Sequence, residues 1–515
     1  MRMNRLLGTA ALMLAAPANA AWHQASSKHF IIYGDMPAGE MKEYAEKLEK
    51  FDAAARLIRS MNDPVVGDGN RVQVLVVSSM LDVNRLYGQA DAGVGGYYMG
   101  LVSGPIIVTP EKIRRLNTRT DKIDPEVVFF HEYTHHLQLQ STNTPMPSWL
   151  SEGFAEFMGN PVFGEDGSIG IGAPATTRAE QLLQGRWAPI SDLLEGNAYT
   201  LGYSGFSIQN YAQGWLLNHY LAFEPTRKGQ IDKYVAAISN GQNALVAARA
   251  AFGDLGELEI QLRSYLRQKS LPYLKIDSTK LKIAPVTVTE LSPGAQEVMP
   301  YRIHTKTGYG SVSVDHVLGK VRPIANRYPT DPLVQRTLAE AEFDAENYDE
   351  SIAAAEAALR IAPKSTEALI YKGRSLLAKA KKANDAALFA EARKEFLAAN
   401  KLDPEDPEPL YLYYRTYRAA NTTAPEPAIE ALHYATILAP RDYYPAIQLV
   451  TEHLRQNNLK AAAAALKPLA YLPHAGQSRQ NEALKVLQLI DAGNGPGALA
   501  LAQKELFPKK DEDTN

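Results

Sequence analysis

Apolar and polar positions alternate along this chain in two rhythms. "KHFIIYGD" (Lys28 to Asp35) and "RVQVLVVSS" (Arg71 to Ser79) are short runs rich in β-branched and aromatic residues, and they predict strands. Between them, "AGEMKEYAEKLEKFDAAARLIRSM" carries its apolar positions at helical spacing among strong helix formers. "GVGGYYMGLVSGPIIVTP" (Gly93 to Pro110) predicts two further strands around a glycine-containing turn. Residues 21–118 therefore read as a small α/β layer, and 119–270 as mainly helical. "PYLKIDSTKLKIAPVTVTELSPG" (Pro272 to Gly294) returns to strand-like alternation, which marks 271–310 as a strand-containing linker.

The C-terminal part repeats. Pro329, Pro363, Pro404, Pro440 and Pro473 recur at spacings of 34, 41, 36 and 33 residues. Twelve residues before each of the last four stands a small residue, Ser351, Ala392, Ala428 and Ala461. A second, five before proline, is Ala358, Ala399 or Ala435. Small residues at fixed places let two antiparallel helices approach, and proline ends the second of each pair. "AENYDESIAAAEAALRIAP" and "FAEARKEFLAANKLDP" resemble tetratricopeptide repeats, which implies a helical solenoid over 311–505 that binds a protein partner. The 41-residue spacing predicts an extended loop or helix near "AKAKKANDAALFAEA". Pro468 stands where the fourth unit should have a small residue, so that unit reads as a degenerate cap. Residues 506–515 form a polar tail, read as disordered.

The first twenty residues read as a leader. "MRMNR" is basic, "LLGTAALMLAAP" is an apolar run too short to span a bilayer, and "ANA" (Ala18 to Ala20) has the small-x-small form of a cleavage site. Residues 1–20 are thus expected to be a signal peptide. The mature chain is expected to be exported, periplasmic or secreted in the bacterial manner, with no stable membrane insertion. A formal charge of −3 gives no footing for nucleic-acid binding. The chain has no cysteine, so a metal site must use histidine and carboxylates.

Histidine is scarce, 11 in 515 residues, yet three stand within "HEYTHH" (His131 to His136). Asp124, Pro125 and Glu126 give a helix-start signal just before them. On that helix His131 and His135 are four apart and share a face, so both can reach one ion. Glu132 points about 100° away, placed to act on a water rather than to ligate. This is the H-E-x-x-H arrangement of zinc hydrolases. His136 is turned away from His135 and reads as a neighbour.

The stretch "PMPSWLSEGFAEFMGN" (Pro145 to Asn160) predicts a second helix with Glu152 and Glu156 four apart among large apolar residues. Buried acids need a partner. "WLSEGFAEF" resembles the W-L-x-E-G-x-A stretch of gluzincin-type zinc metallopeptidases, the thermolysin- and aminopeptidase-like proteins. The match is at Trp149, Leu150, Glu152, Gly153 and Ala155. The resemblance implies that Glu152 is the third ligand of one zinc ion and that Glu156 orients His131 from behind. Glu156 as ligand is the alternative. It further implies Glu132 as general base. Tyr211, in "YAQGW", fits the family's Y-x-x-G-aromatic setting and is implied as oxyanion stabiliser, with Tyr203 and His219 as rivals. "GYYMGLVSGPIIV" is the candidate edge strand for an extended peptide. No G-x-M-E-N stretch is present to grip a free amino terminus, which favours an endopeptidase. "GVGGYYMG" is not a phosphate loop, because no Lys-Ser/Thr follows.

The fold class expected is an α+β zincin-like metallopeptidase domain followed by an all-α tetratricopeptide-repeat solenoid. The function expected is hydrolysis of peptide or protein substrates. The competing readings are a repeat-based scaffold carrying an inactive peptidase-like domain, and a zinc hydrolase of non-peptide amides.

Overall fold

A computed structural model describes residues 21–90, 94–111, 124–141, 146–185, 187–195, 206–469 and 477–507. The expected leader and all but the first two residues of the expected tail lie outside them. A mixed sheet lies at the N-terminal end, built from β1 (Trp22–Ser26), β2 (Phe30–Asp35), β3 (Val72–Val77), β4 (Tyr97–Leu101) and β5 (Gly104–Pro110). A small second sheet holds β6 (Val162–Phe163), β7 (Ile169–Ile171) and β8 (Leu274–Ile276), and β9 (Thr287–Glu290) returns to the first. The main sheet runs β4-β5-β3-β2-β1-β9, with β2, β3 and β5 parallel and β4 antiparallel at one edge. The "VQVLVV" of β3 and all of β5 are nearly continuous in burial, as strands covered on both faces must be.

One face is covered by α1 (Ala38–Ile58) and α3 (Pro125–Ser141), and the other by α2 (Met80–Tyr87). The strands and the first helix stand where the hydrophobic pattern predicts them. β1 was not visible in that pattern, since "WHQAS" has little apolar content and finds its place only by pairing with β2 and β9. The segment expected as a linker thus adds a strand to each sheet. α3 is tied to α1 through polar groups: the Tyr133 hydroxyl donates to Asp52 Oδ1 at 2.7 Å, and Arg56 Nε donates to the same carboxylate at 2.8 Å.

Behind α3 stand α4 (Ser148–Met158), α5 (Thr176–Gln184), α6 (Ile190–Glu195), α7 (Phe206–Phe223), α8 (Gln230–Ser239), α9 (Ala244–Phe252) and α10 (Leu255–Leu266). α4 and α7 cross backbone to backbone. A Cβ on Gly153 would meet the Gly214 carbonyl at 2.3 Å, and one on Gly214 would meet the Trp149 carbonyl oxygen at 2.6 Å. The glycines of both sequence motifs are there for this approach.

The rest is helical: α11 (Pro293–Lys306), α12 (Val314–Arg327), α13 (Pro332–Asp344), α14 (Tyr348–Ile361), α15 (Thr366–Ala383), α16 (Ala386–Leu402), α17 (Pro407–Ala419), α18 (Glu426–Leu438), α19 (Tyr443–Arg455), α20 (Leu459–Leu466), α21 (Gln477–Asp491) and α22 (Gly495–Leu501). Successive helices pack as hairpins, a tetratricopeptide-like solenoid. The small residues sit where the helices touch: Ser351, Ala358, Ala392, Ala399, Ala428 and Ala435 are all 0% exposed. The Ser351 hydroxyl donates to the Ala339 carbonyl at 2.7 Å. The 41-residue spacing is taken up by two long helices, of 18 and 17 residues, rather than by a loop. In the fourth unit the fully buried small residue is Ala462, one place after Ala461.

The solenoid wraps the sheet. Ala295, Met299 and Ile303 of α11 and Leu333 of α13 pack on its second face against Tyr33, Leu75 and Ile106. Farther along, the Gly69 amide donates to Asp403 at 2.9 Å and the Val102 amide donates to Asp442 at 2.7 Å. Buried charges on the inner helices are paired: Arg302 and Lys306 of α11 meet Glu367 of α15 at 2.9 and 2.7 Å. Among the described residues no helix is long and apolar enough to cross a membrane.

Gly214→Ala is expected to cost more than about 1–3 kcal/mol, because the new methyl meets backbone that cannot yield. Chemical denaturation of wild type against the variant checks this. A change below about 0.5 kcal/mol would show that α4 and α7 do not meet so closely.

Candidate metal centre

α3 and α4 bring three side chains to one point. His135 Nε2 lies 3.2 Å from His131 Nε2 and 3.3 Å from Glu152 Oε2, and His131 Nε2 lies 3.4 Å from the same oxygen. His131, His135 and Glu152 are buried. Among the described residues this is the only trio of His, Asp or Glu side chains whose donor atoms converge in this way.

The outward ring nitrogens explain the orientation. His131 Nδ1 faces Glu156 Oε1 at 3.2 Å and His135 Nδ1 faces Gln138 Oε1 at 2.9 Å. Both partners are acceptors, so each Nδ1 carries hydrogen, and in a neutral ring the Nε2 then turns a lone pair inward. With both rings neutral, two nitrogen lone pairs and a desolvated carboxylate oxygen would face one another and call for a cation; without metal, that cation is the extra proton on His131. Burial would lower the pKa of His131, but hydrogen bonds to Glu152 and Glu156 outweigh it and carry it up to about 10. Burial likewise works against charge on Glu156, yet His131 and Arg178 hold its carboxyl down at about 2.

The donor set fits zinc. Tetrahedral zinc with donors at about 2.0–2.1 Å sets donor-to-donor separations of roughly 3.3–3.4 Å, close to the three distances found. Of the two acids weighed in the sequence, Glu152 points its Oε2 at both Nε2 atoms, and Glu156 lies behind His131, gripped by Arg178 at 2.7 and 2.9 Å.

Glu132 is partly exposed beside His131, close enough for its charge to act on that ring and on Tyr98. Tyr211 lies inside α7, and its ring is 5.9 Å from that of His131. Arg178 sits 5.1 Å over the Tyr211 ring. Tyr203 lies outside the described residues. His219 is fully buried elsewhere, facing Tyr265 Oη at 2.9 Å and the carbonyl oxygens of Gly172 and Pro272 at 2.9 and 3.1 Å, so it has no reach to the trio's opening. His136 faces Tyr98 Oη of β4 at 2.8 Å and stacks on Tyr133. It braces the helix against the edge strand.

Sequence reasoning missed Arg178, Gln138 and Tyr98. Gln138 stands three after His135, on the same helical face, so spacing carried a signal for it. Arg178 stands on a separate short helix with nothing in "TTRAEQ" to mark it.

No family model matches the sequence, and no curated protein matches it. Similar solved structures include MamA (residues 41 to the end) from Desulfovibrio magneticus RS-1, 21% identical over 35% of this chain and 98% of that one, TM-score 0.28. A MamA RS-1 ArsTM double mutant is 21% identical over 33% and 92%, TM-score 0.27. Yeast Tom70 is 12% identical over 76% and 79%, TM-score 0.27. The tetratricopeptide-like character of the solenoid lies in its successive helix pairs, α13 with α14 and α15 with α16 among them.

With His131 held protonated at neutral pH, zinc must displace its proton. Calorimetry at pH 7 in buffers of different ionisation enthalpy is expected to show release of about one proton per zinc bound. Affinity is expected to rise with pH as the competing proton is lost. Zinc binding with no proton release would contradict the charge balance drawn for the trio.

Proposed function

We propose that the protein is an exported zinc-dependent endopeptidase. The observation that carries this reading is the convergence of His131 Nε2, His135 Nε2 and Glu152 Oε2 beside Glu132. Zinc, when bound there, supplies a Lewis acid that polarises the scissile carbonyl and acidifies a water. Glu132 takes the proton from the attacking water and delivers it to the leaving amine nitrogen. The Tyr211 hydroxyl donates to the oxygen that gains charge. Glu156 and Gln138 hold the two imidazoles in the tautomer and orientation that ligation requires.

β4 is the terminal strand of the main sheet, next to α3. An extended peptide can pair with its outer edge, which places a backbone carbonyl over the site whatever the side chains are. The absence of a G-x-M-E-N stretch supports cleavage within a chain. The inner helices of the solenoid are engaged with the protein's own sheet, so a protein partner would use its outer helices.

The alternative, a repeat scaffold with an inactive domain, is separated by kinetics. Glu132→Gln is expected to keep zinc and lower kcat on an unstructured protein by about 10²–10⁴-fold. Tyr211→Phe is expected to lower kcat by about 10²–10³-fold with little change in KM. Undiminished hydrolysis in Glu132→Gln, or none in the zinc-loaded wild type, would sink the peptidase reading.

A further inference from the structure

The solenoid reaches the candidate cleft at one place. The loop after α18 lays Pro440, Arg441 and Asp442 on the end of β4, where the Val102 amide donates to Asp442 and the Asn70 side chain donates to the Leu438 carbonyl at 3.2 Å. The first bond ties the loop to the end of the strand, and the second ties the end of α18 to the turn before β3. The stem of Arg441 then crosses Gly100: a Cβ on that glycine would meet Arg441 Cβ at 2.5 Å and the Tyr98 ring at 3.0 Å. The guanidinium comes to rest over the Tyr98 ring, 4.7 Å from its centroid.

This arginine has a ring beneath it but, among the described residues, no anion. Its Nη1 is buried and donates to nothing among the described residues. It lines a small recess, partly open to solvent, together with Tyr98, Gly100, Pro440 and His136. None of the residues lining that cavity is acidic. Three other arginines with buried heads differ: Arg56, Arg178 and Arg302 each meet a carboxylate at 2.9 Å or less. A partly desolvated guanidinium with a spare donor is matched by a carboxylate, which it can take through two parallel hydrogen bonds.

The cavity also borders the candidate chemistry. His136 is the residue after the ligand His135, and its ring faces the Tyr98 hydroxyl at 2.8 Å. Gly100 is two residues along β4 from Tyr98, a step of roughly 7 Å. A peptide paired with β4 therefore runs past the guanidinium.

We propose that this cavity is a carboxylate subsite of the cleft, that Arg441 of the solenoid is its cation, and that the protein binds acidic peptides in preference to neutral ones. The inference rests on the reading of β4 as the peptide-binding edge. It gives the solenoid a part in substrate choice. The carboxylate can come from an Asp or Glu side chain or from a peptide's C-terminus.

Binding separates this from catalysis. The probes are alanine-rich hexapeptides, acetylated and amidated, with one Glu at each position in turn. Their Gln counterparts, and the Gln peptides with a free C-terminal carboxylate, complete the set. Affinities are measured for zinc-loaded Glu132→Gln protein with and without Arg441→Met, which keeps the apolar stem, or Arg441→Lys, which keeps the charge. The expected result is one anionic series binding about tenfold to a hundredfold tighter than neutral Gln. Arg441→Met should erase that preference without weakening the neutral peptides, and Arg441→Lys should keep part of it. Tighter binding of the Glu series identifies a side-chain subsite, and tighter binding of the free-acid series a terminal one. Equal affinities for all three series, a preference that survives Arg441→Met, or no binding by any peptide would overturn the proposal. Hydrolysis of the same peptides by wild type is scored separately. An acidic preference in binding without hydrolysis leaves the subsite standing and removes the peptidase reading.

Discussion

Two imidazoles and two carboxylates buried at one point form an arrangement that apolar packing alone would not tolerate. Glu152 and Glu156 are 1% and 6% exposed, so neither can rely on water for its charge. Arg178 answers Glu156, and Glu152 faces the two Nε2 atoms, where the extra proton on His131 or a metal ion in its place can balance it. Once the ring nitrogens on the outer side are committed to Glu156 and Gln138, the inner ones can offer the carboxylate only the extra proton of His131, which a metal ion would displace. The surrounding fold serves that constraint.

Three helices set the trio's geometry, and each is fixed by a different force. α3 is held to α1 by the Tyr133–Asp52–Arg56 bonds and to β4 by the His136–Tyr98 contact. α4 is held to α7 by backbone contact at Gly153 and Gly214, a steric lock in which a single methyl would be felt. α7 in turn carries Tyr211 to the side of His131. The solenoid does not hang from this body by a linker. Its first helices supply part of the core under the sheet, and its loop at Pro440–Asp442 finishes the edge strand. A substitution in the repeats can therefore reach the cleft without touching the trio.

How much of this could be read from the chain follows the range of the interactions. Spacing within one helix is local, so His131, His135 and Glu132 were legible, as was the helix start at Asp124. The buried strands were legible from their β-branched runs. Small residues before each proline revealed the helix pairs, though not that the longest spacing would be filled by helix. What could not be read depends on distant partners. "WHQAS" becomes a strand only because β9, more than 250 residues later, pairs with it. Arg178 and Arg441 carry no local mark, and the first matters only through Glu156 and Tyr211. The glycines of "SEGFA" and "AQGWL" were visible as motif letters, but their cause is their mutual contact in space.

The central claim is that these side chains form one zinc site, and X-ray absorption spectroscopy at the zinc edge of the purified protein tests it most directly. The account predicts one zinc per chain, four-coordinate, with two imidazoles and oxygen donors at about 2.0–2.2 Å, and loss of that signal in His131→Ala. A six-coordinate shell of oxygens without imidazole, or an unchanged spectrum in His131→Ala, would contradict it.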